Sequence, residues 1–207
     1  MNPNNAPWNT SSAAPAAAAP AAQEVQTRNI ITPYARLSYP ALLEPKTKPN
    51  STELAYSCSL VFPKGTDLSK LYAAAHTAGI AKFGEAKYQQ MVKLGKIRLP
   101  FRDDGEEKGY PEGSIYLNAS SKTRPQIVDQ RLQPVVTDDE QGIYAGCWVR
   151  ASINFFGYDT QGNRGVGVGL NNVQKVRDDA RFDGRRAAAQ EFSAIDDEAM
   201  ADAQSLL

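Results

Sequence analysis

The sequence predicts a mostly β domain with an antiparallel sheet, folded either as a small closed barrel or as a sandwich. Three observations favour this class: short segments alternate apolar and polar residues, one longer helical pattern stands near the front, and no strand–helix–strand rhythm recurs. The chain has 207 residues, of which 42% are hydrophobic, so it is long enough for one ordinary domain with tails.

The first predicted strand is the segment LAYSCSLVF. Its larger apolar residues fall at alternate positions from Leu54 to Phe62, smaller residues fall between them, and Pro63 ends the pattern. This period of two predicts a strand with one buried face. Cys58 lies on the core face, as Cys147 does in a later strand, so both cysteines are interpreted as small buried hydrophobic residues.

The one main helical segment follows this strand. Apolar residues recur at helical spacing behind a Thr66 or Asp67 cap, and Gly95 suits the exit. Gly79 and Gly84 weaken the middle of the pattern, which therefore predicts either one helix or two consecutive ones.

Four further segments are predicted strands: IRLPFR, SIYLNAS, QIVDQRLQPVV and GIYAGCWVRASINFFGYD. A DTQGN turn ends the last of them, and RGVGVGL returns as its hairpin partner. The glycine-rich return strand lacks the G-x-G-x-x-G spacing and a surrounding β-α-β unit, so a dinucleotide site is not expected.

The longest predicted strand has two contrasting faces. Odd positions from Ile143 to Phe155 are apolar or small and form a plain core face. Even positions carry four aromatic residues and Arg150 on the face that would be polar if it met only water. Two interpretations stay open: the helix covers this face, or the face stacks bases and binds phosphates along a single nucleic-acid strand.

Neighbouring segments supply further residues of the same chemistry. Tyr116 lies on the non-core face of its strand, and the same parity continues to Lys122 and Arg124. In the hypothesis of nucleic-acid binding, aromatic rings are stacking platforms and cations neutralise phosphates. The candidate DNA-binding residues are Tyr116, Lys122, Arg124, Tyr144, Trp148, Arg150, Phe156, Tyr158, Arg164, Lys175 and Arg177, with Arg181, Arg185 and Arg186 continuing the basic track toward the C-terminus.

The neutral total charge hides a separation of charge along the chain. Residues 1–27 form a low-complexity Ala/Pro/Asn/Ser tail whose only charge is Glu24, and this tail is expected to be disordered. The body, residues 28–190, holds all 23 basic residues and 17 of the 23 acidic ones, which makes it +6. The C-terminal tail, residues 191–207, carries the five acids Glu191, Asp196, Asp197, Glu198 and Asp202 and is −5.

The basic body and the acidic C-terminal tail together suggest a polyanion partner that the tail can imitate. Like-charged blocks at a terminus often serve as interaction tails. The alternative interpretation is that the acidic tail only improves solubility. Barrel edges, an exposed strand and a flexible tail are also compatible with a homo-oligomer.

Enzymatic, metal-binding and membrane functions have little support in the sequence. One histidine and two cysteines leave no zinc-site spacing and little basis for His-dependent catalysis. The acidic clusters Asp103–Glu107 and Asp138–Glu140 lie in predicted loops, where contiguous carboxylates usually face solvent. No stretch approaches the ~20 apolar residues of a membrane span, and no basic residue precedes Arg28 as in a secretory signal. We expect no cofactor, no metal and a cytoplasmic location.

Two segments carry a resemblance to a known family. The chain resembles bacteriophage OB-fold single-stranded-DNA-binding (ssDNA-binding) proteins, first catalogued as a domain of unknown function, in IYLNASSKTRP and YAGCWVRASINFFGYDTQGNRGVGVGLNNVQKVRD. The match runs roughly from Tyr34 to Arg186, and the family is similar to the replication ssDNA-binding proteins of short-tailed coliphages. The resemblance implies an OB barrel that coats ssDNA without strong sequence preference during phage DNA replication, recombination or repair.

The resemblance also implies an acidic C-terminal tail that contacts replication or recombination proteins and competes with DNA, and residues 191–207 fit that description. The coliphage tails end in an aromatic residue, whereas this chain ends in Leu206 and Leu207. A location in the host-cell cytoplasm follows if the protein is phage-encoded. The alternative from another class is a structural or protein-interaction module of a phage, and a metal-dependent nuclease is the least supported hypothesis.

Overall fold

The computed structural model describes residues 26–47, 52–137, 142–160 and 162–182. Several sequence predictions lie outside the described residues. They are the disorder of residues 1–25, the acidic loop Asp138–Glu140, the basic residues Arg185 and Arg186, and the whole acidic C-terminal tail, residues 191–207.

The described residues form seven strands and two α-helices, which confirms the mostly β class. A single turn of 3-10 helix, Glu106–Lys108, interrupts the long connection between the helices and the next strand. The elements in chain order are β1 (Ile30–Ile31), β2 (Ala35–Thr47), β3 (Leu54–Phe62), α1 (Ser69–Phe83), α2 (Glu85–Lys93), β4 (Ile115–Ser121), β5 (Gln126–Val128), β6 (Trp148–Thr160) and β7 (Asn163–Arg177).

Five of the strands close into a barrel in the order β2–β3–β4–β7–β6, because β6 also pairs with β2. All neighbouring pairs in this ring are antiparallel except β4 and β7, which are parallel and meet at Ser120 and Gly169. The short strands β1 and β5 extend the free edges of β6 and β7. A five-stranded Greek-key ring of this kind is the OB-fold, so the barrel alternative is confirmed over the sandwich.

The barrel interior is built from the core face predicted for the longest strand. Cys147 and every odd residue of β6 from Val149 to Phe155 are buried. Outward residues alternate with them along β6, as the pleat of a strand requires. The hairpin between β6 and β7 is also confirmed, with Thr160 paired to Asn163 across the turn.

The helical segment divides at Gly84 into α1 and α2, which confirms the two-helix alternative. Gly84 has a φ of 79°, a left-handed conformation that favours glycine. The predicted cap differs in detail, because the residue before α1 is Leu68 and the Asp67 carboxylate accepts the Ser69 N–H at 2.9 Å. α1 packs against β6 at Gly157, where an added Cβ atom would lie 2.3 Å from Lys82 Cβ.

Two predicted strands are shorter than expected. The segment 126–136 is a strand only as far as Val128, because Asp129 then folds the chain into a turn by accepting the N–H groups of Arg131 and Gln133 at 2.7 and 2.8 Å. The segment 142–159 becomes a strand only at Trp148, after Gly146, whose φ is 112°. IRLPFR pairs only through isolated bridges, including one between Arg102 and Tyr116.

The 13-residue strand β2 was not predicted from the sequence. Pro40 and Pro45 interrupt its alternation, and the register with β3 shifts on either side of Ala41. Prolines are tolerated at such irregular positions, where a ladder hydrogen bond is already missing. In the part of the chain that the structure describes, no helix is long and apolar enough to cross a membrane.

Candidate nucleic-acid interface

The outward face of β6 has two ends with different surroundings. Phe156 and Trp148 lie eight residues apart on it, roughly 26 Å at ~3.3 Å per residue. We call the first the open end, formed by Asn154, Phe156 and Tyr158 of β6 with Gly165, Gly167 and Gly169 of β7. We call the second the clasped end, formed by Trp148 of β6, Arg177 of β7 and Arg36 of β2.

At the open end, aromatic side chains pack closely against the glycines of the neighbouring strand. Phe156 pairs with Gly167, and an added Cβ atom at Gly167 would lie 2.7 Å from Phe156 Cζ. Tyr158 pairs with Gly165, and a Cβ atom there would lie 2.5 Å from Tyr158 Oη. The glycines therefore make room for rings that expose a face, and Phe156 is 50% exposed.

Two cations flank Phe156. It borders a shallow groove together with Arg28 and with Lys82 of α1. The Phe155 N–H donates to Thr27 O at 2.8 Å, which holds the chain before β1 against β6 and places Arg28 there. Among the described residues, no carboxylate pairs with either cation. In such an arrangement the exposed ring can stack a base, and the two cations can neutralise the phosphates next to that base.

A cluster of asparagine side chains fixes the backbone beside this groove. Asn154 and Asn171 exchange two side-chain hydrogen bonds of 2.9 and 3.0 Å, and the Asn29 N–H donates to Asn154 Oδ1 at 2.7 Å. These amides tie β1 to the hairpin. Their hydrogen bonds constrain the backbone of the open end, and such constraint favours a preorganised binding surface.

The clasped end belongs to a row of paired residues that crosses five strands. Arg177 pairs with Trp148, Trp148 with Arg36, Arg36 with Val61, and Val61 with Tyr116. The Trp148 ring lies between two guanidinium groups, with Arg36 Cζ 5.7 Å and Arg177 Cζ 4.6 Å from its centroid. Cations and an aromatic ring therefore alternate on the outer face of the barrel.

The chain after β7 folds back over this row. We call residues 178–182 the strap. Asp179 Oδ2 accepts the Trp148 indole N–H at 2.6 Å and lies 3.2 Å from Arg36 Nη1 and 3.9 Å from Arg177 Nη1. The hydrogen bond from Trp148, with smaller contributions from the Ala180 N–H and the two arginines, lowers the pKa of Asp179 below its usual range.

The first strap residue binds a second pair of side chains. Asp178 Oδ1 lies 2.7 Å from Lys175 Nζ and accepts the Tyr144 hydroxyl at 2.9 Å. Tyr144 is buried, and this burial is the main cause that raises its pKa to about 12. Arg181 of the strap also contacts Tyr144, with its Cζ 4.5 Å from the ring centroid.

The last strap residue closes a small apolar cluster. Phe182 packs with Tyr110, Tyr116 and Val61, and its ring centroid lies 4.6 Å from Arg36 Cζ. Tyr116 is only 1% exposed, and its hydroxyl donates to Asp104 at 2.9 Å and accepts from Lys108 Nζ. The expectation that Tyr116 and Tyr144 present open ring faces is therefore wrong, because the loop that holds Asp104 and Lys108 covers Tyr116 and the strap covers Tyr144.

The other predicted contacts are spread over the surface. Arg150 is exposed and donates to Gln174 Oε1 at 2.7 Å. Lys122 is exposed and lies 3.6 Å from Glu53, whereas Arg164 pairs with Asp159 at 2.8 Å near the hairpin turn. Arg124 lines a groove with Lys46, Tyr144 and Arg181. The structure thus brings Tyr144, Trp148, Lys175 and Arg177 together, and places Phe156 and Tyr158 at the opposite end of β6.

Sequence reasoning missed three cations and one aromatic residue that complete the two ends. Arg28 and Lys82 reach the open end, and Arg36 and Phe182 belong to the clasped end. No local sequence pattern identifies these four residues, because each contacts β6 or a neighbouring strand from a segment that is distant in sequence. The excess of bases over acids in the body was the only signal that more cations were available.

Groups that could support metal or thiol chemistry are not gathered at either end. Among the described residues, no three His, Cys, Asp or Glu side chains converge in a way that could hold a metal ion. Cys58 and Cys147 are buried, as predicted, and burial raises the pKa of the Cys58 thiol to about 12. His76 lies on the exposed side of α1, with its ring edge-on to Tyr88 at 5.0 Å.

Similarity to known proteins agrees with this geometry. Residues 28–203 match the family described as Enterobacter phage Enc34, ssDNA-binding protein. The chain is 34% identical over 181 residues to putative protein p50 of Acyrthosiphon pisum secondary endosymbiont phage 1, covering 83% of this chain and 95% of that protein.

Two solved structures are similar in fold. One is the single-stranded DNA-binding protein from bacteriophage Enc34 in complex with ssDNA, with a TM-score of 0.60, 23% identity, and coverage of 73% of this chain and 88% of that one. The other is gp2.5, a single-stranded DNA binding protein encoded by bacteriophage T7, with a TM-score of 0.54, 12% identity, and coverage of 76% and 96%. On the family match over residues 28–203, this chain belongs to the Enc34 ssDNA-binding protein family.

Proposed function

We propose that this protein is a non-enzymatic ssDNA-binding protein of a phage, which coats and protects single strands without strong sequence preference. The observation that carries the proposal is the open end of β6. There the half-exposed Phe156 ring lies on the backbone of Gly167, with Arg28 and Lys82 on the same groove. Membership in a family of phage ssDNA-binding proteins supports the same conclusion.

Binding combines two terms at the open end. A base stacks on the exposed face of Phe156, which contributes about 1–3 kcal/mol per base. Lys82 and Arg28 neutralise the adjacent phosphates and release counterions, so the affinity falls as salt rises. Neither term reads the edges of a base, which accounts for a weak sequence preference.

The path of the DNA continues along β6 toward Arg150 and the clasped end. Arg150 is exposed midway between Phe156 and Trp148 on the same outward face. Trp148, Arg36 and Arg177 offer the next ring and the next phosphate-binding cations. Tyr158, Lys122, Arg124 and Arg164 are secondary contacts in this proposal, whereas the predicted contact Lys175 is buried and pairs with Asp178.

Single strands are preferred because stacking needs an unpaired base. In a duplex each base is already stacked on its neighbours, and its faces are closed to Phe156 and Trp148. The phosphates of a duplex still attract the cations, so weaker duplex binding persists at low salt.

The acidic C-terminal tail, residues 191–207, has a regulatory role in this proposal. Its five carboxylates compete with DNA for the cations of the body and contact replication or recombination proteins. The setting is DNA replication, recombination or repair in the cytoplasm of the phage host. Neutralising the five acids in the full chain (Glu191→Gln, Asp196→Asn, Asp197→Asn, Glu198→Gln and Asp202→Asn) is expected to tighten ssDNA binding, most at low salt.

The test of the proposed function is anisotropy of a labelled oligothymidine and of a duplex of equal length, each at three salt concentrations. We expect the single strand to bind more tightly and both affinities to fall with salt. Equal affinity for the two, or no binding, would contradict the proposal. Binding of a protein partner that persists at high salt would instead support the alternative, a structural or protein-interaction module of a phage.

A further inference from the structure

We propose that the strap, residues 178–182, occupies a nucleotide-binding subsite on the outer face of the barrel, and that ssDNA displaces it. The Asp179 carboxylate takes the position of a phosphate, and the Phe182 ring takes the position of a base. This inference rests on the proposed function and adds a subsite and a competitor within the body itself.

The row beneath the strap has the donors that a phosphate group requires. Arg36, Arg177 and the Trp148 indole N–H converge on the single oxygen Asp179 Oδ2. Guanidinium groups pair with carboxylates and phosphates through the same charge-assisted hydrogen bonds. A DNA phosphate therefore satisfies the same three donors once the carboxylate has left.

The Phe182 ring marks where a base fits. It lies on the Arg36 guanidinium at 4.6 Å and against Tyr110 with ring centroids 5.7 Å apart. Arginine planes and aromatic rings are the two kinds of platform on which proteins stack unpaired bases. With Phe182 displaced, the Tyr110 ring and the Arg36 plane become accessible to such a base.

The strap is held by side chains and a few single hydrogen bonds, not by a strand ladder. The Phe182 N–H donates to Ala145 O at 3.2 Å, and the Asp179 N–H donates to the Tyr144 hydroxyl oxygen at 3.2 Å. The side chain of Asp178 is 64% exposed and that of Asp179 is 31% exposed. Release of the strap therefore leaves every strand pair of the barrel intact.

The barrel has a specific seat for the strap. Gly146 has a φ of 112°, and an added Cβ atom there would lie 2.3 Å from Ala180 O. A glycine at this point lets the strap backbone approach the start of β6 closely. This close fit indicates that the strap-bound state is a defined conformation. The side chains beneath the strap are the hydrogen-bond donors that a DNA phosphate needs.

The first test is hydrogen exchange of the unmodified full chain, with and without saturating oligothymidine. We expect the peptide that contains residues 178–182 to lose protection on binding, while peptides from β3 keep theirs. Unchanged or increased protection of the strap in the DNA-bound protein would overturn the proposal. If oligothymidine does not bind at all, the proposed function fails, and the two failures are thereby distinguished.

The second test compares variants of the full chain. Asp179→Asn combined with Phe182→Ala is expected to bind oligothymidine about tenfold more tightly, as follows if the strap is seated in roughly nine of ten molecules. Glu85→Gln, an exposed acid at the start of α2, removes the same charge and is the matched control, expected within about twofold of the unmodified chain. Equal or weaker binding by the strap variant would overturn the proposal, and if that variant does not fold, the exchange measurement decides.

Discussion

The open end and the clasped end of β6 carry similar side chains on the same face of one strand, yet they differ in what covers them. Phe156 rests on a glycine and faces solvent, whereas Trp148 lies between two arginines beneath an aspartate. The difference lies in the residues that follow β7, because the strap crosses only the Trp148 end. Outward orientation on a barrel strand is thus necessary for nucleic-acid contact but does not make a residue accessible.

The two ends also differ in what their residues contribute to stability. Arg36 is largely buried and binds Gly146 O, Asp179 and two aromatic rings, so it belongs to a network. The cations of the open end have no carboxylate partner among the described residues. Substitution of Arg36 at the clasped end should therefore change folding, and substitution of the cations at the open end should change only binding.

The largest expected effect is that of Arg36→Ala on folding. Removal of Arg36 takes a donor from the Gly146 and Ala180 carbonyls and one of the two guanidinium groups from Asp179, which is expected to lower the free energy of unfolding by about 2–3 kcal/mol. Arg28→Ala at the open end is the matched control, with a change within about 0.5 kcal/mol. Urea denaturation followed by circular dichroism measures both, and equal stability of the two variants would contradict the distinction between the ends.

The next effect is that of Phe156→Ala on binding. Loss of one stacking platform is expected to weaken oligothymidine binding by about 1–3 kcal/mol, while the slope of affinity against salt stays the same. The control is Val92→Ala, which truncates an exposed apolar side chain on α2. Anisotropy titrations at three salt concentrations give both quantities, and an affinity unaffected by Phe156→Ala would place the DNA elsewhere.

A smaller effect of a different kind is expected for Lys82→Gln. This variant keeps much of the side-chain length and removes one phosphate contact, so the slope of log affinity against log salt should become shallower by about one unit. Lys93→Gln, at the end of α2, makes the same change outside the open-end groove. Identical slopes for the two variants would remove Lys82 from the interface.

Sequence patterns predicted the strands and helices of this molecule better than the contacts on its surface. The parity of β6 and its hairpin with β7 follow from a local period of two, and the break at Gly84 follows from glycine in a helix. Strand β2 was missed because Pro40 interrupts its alternation. Local rules therefore sufficed wherever neighbours along the chain determine the structure.

The candidate site was predictable only in part, because the segments that cover it are distant in sequence from the strands that form it. Trp148, Phe156 and Arg150 were identified from their face of β6, which the structure confirms as the outward one. The contact of Arg36 with Asp179 joins residues 143 positions apart, and no periodicity encodes it. The burial of Tyr116 likewise depends on Phe182 and on the loop that holds Asp104, both outside its strand.

The smallest expected effect is that of pH on the clasped end. The pKa of Asp179 is lowered in the folded protein, so the contribution of Asp179 to the free energy of unfolding is fully present above the unfolded pKa of ~3.9 and is lost as pH falls through the lower folded pKa. The indole N–H resonance of Trp148 should therefore stay constant from neutral pH to about pH 4 and shift only below it. In Asp179→Asn this acid shift should be absent, and a shift near pH 6 would contradict the assigned pairing.

The measurement that tests the central claim most directly is photochemical crosslinking to an oligothymidine substituted with 5-iodouracil, followed by peptide mass spectrometry on the full chain. The account predicts crosslinks at Phe156 and, once the strap is displaced, at Trp148 or Tyr110. Crosslinks confined to α2, or to the opposite side of the barrel, would contradict the claim that the outward face of β6 binds single-stranded DNA.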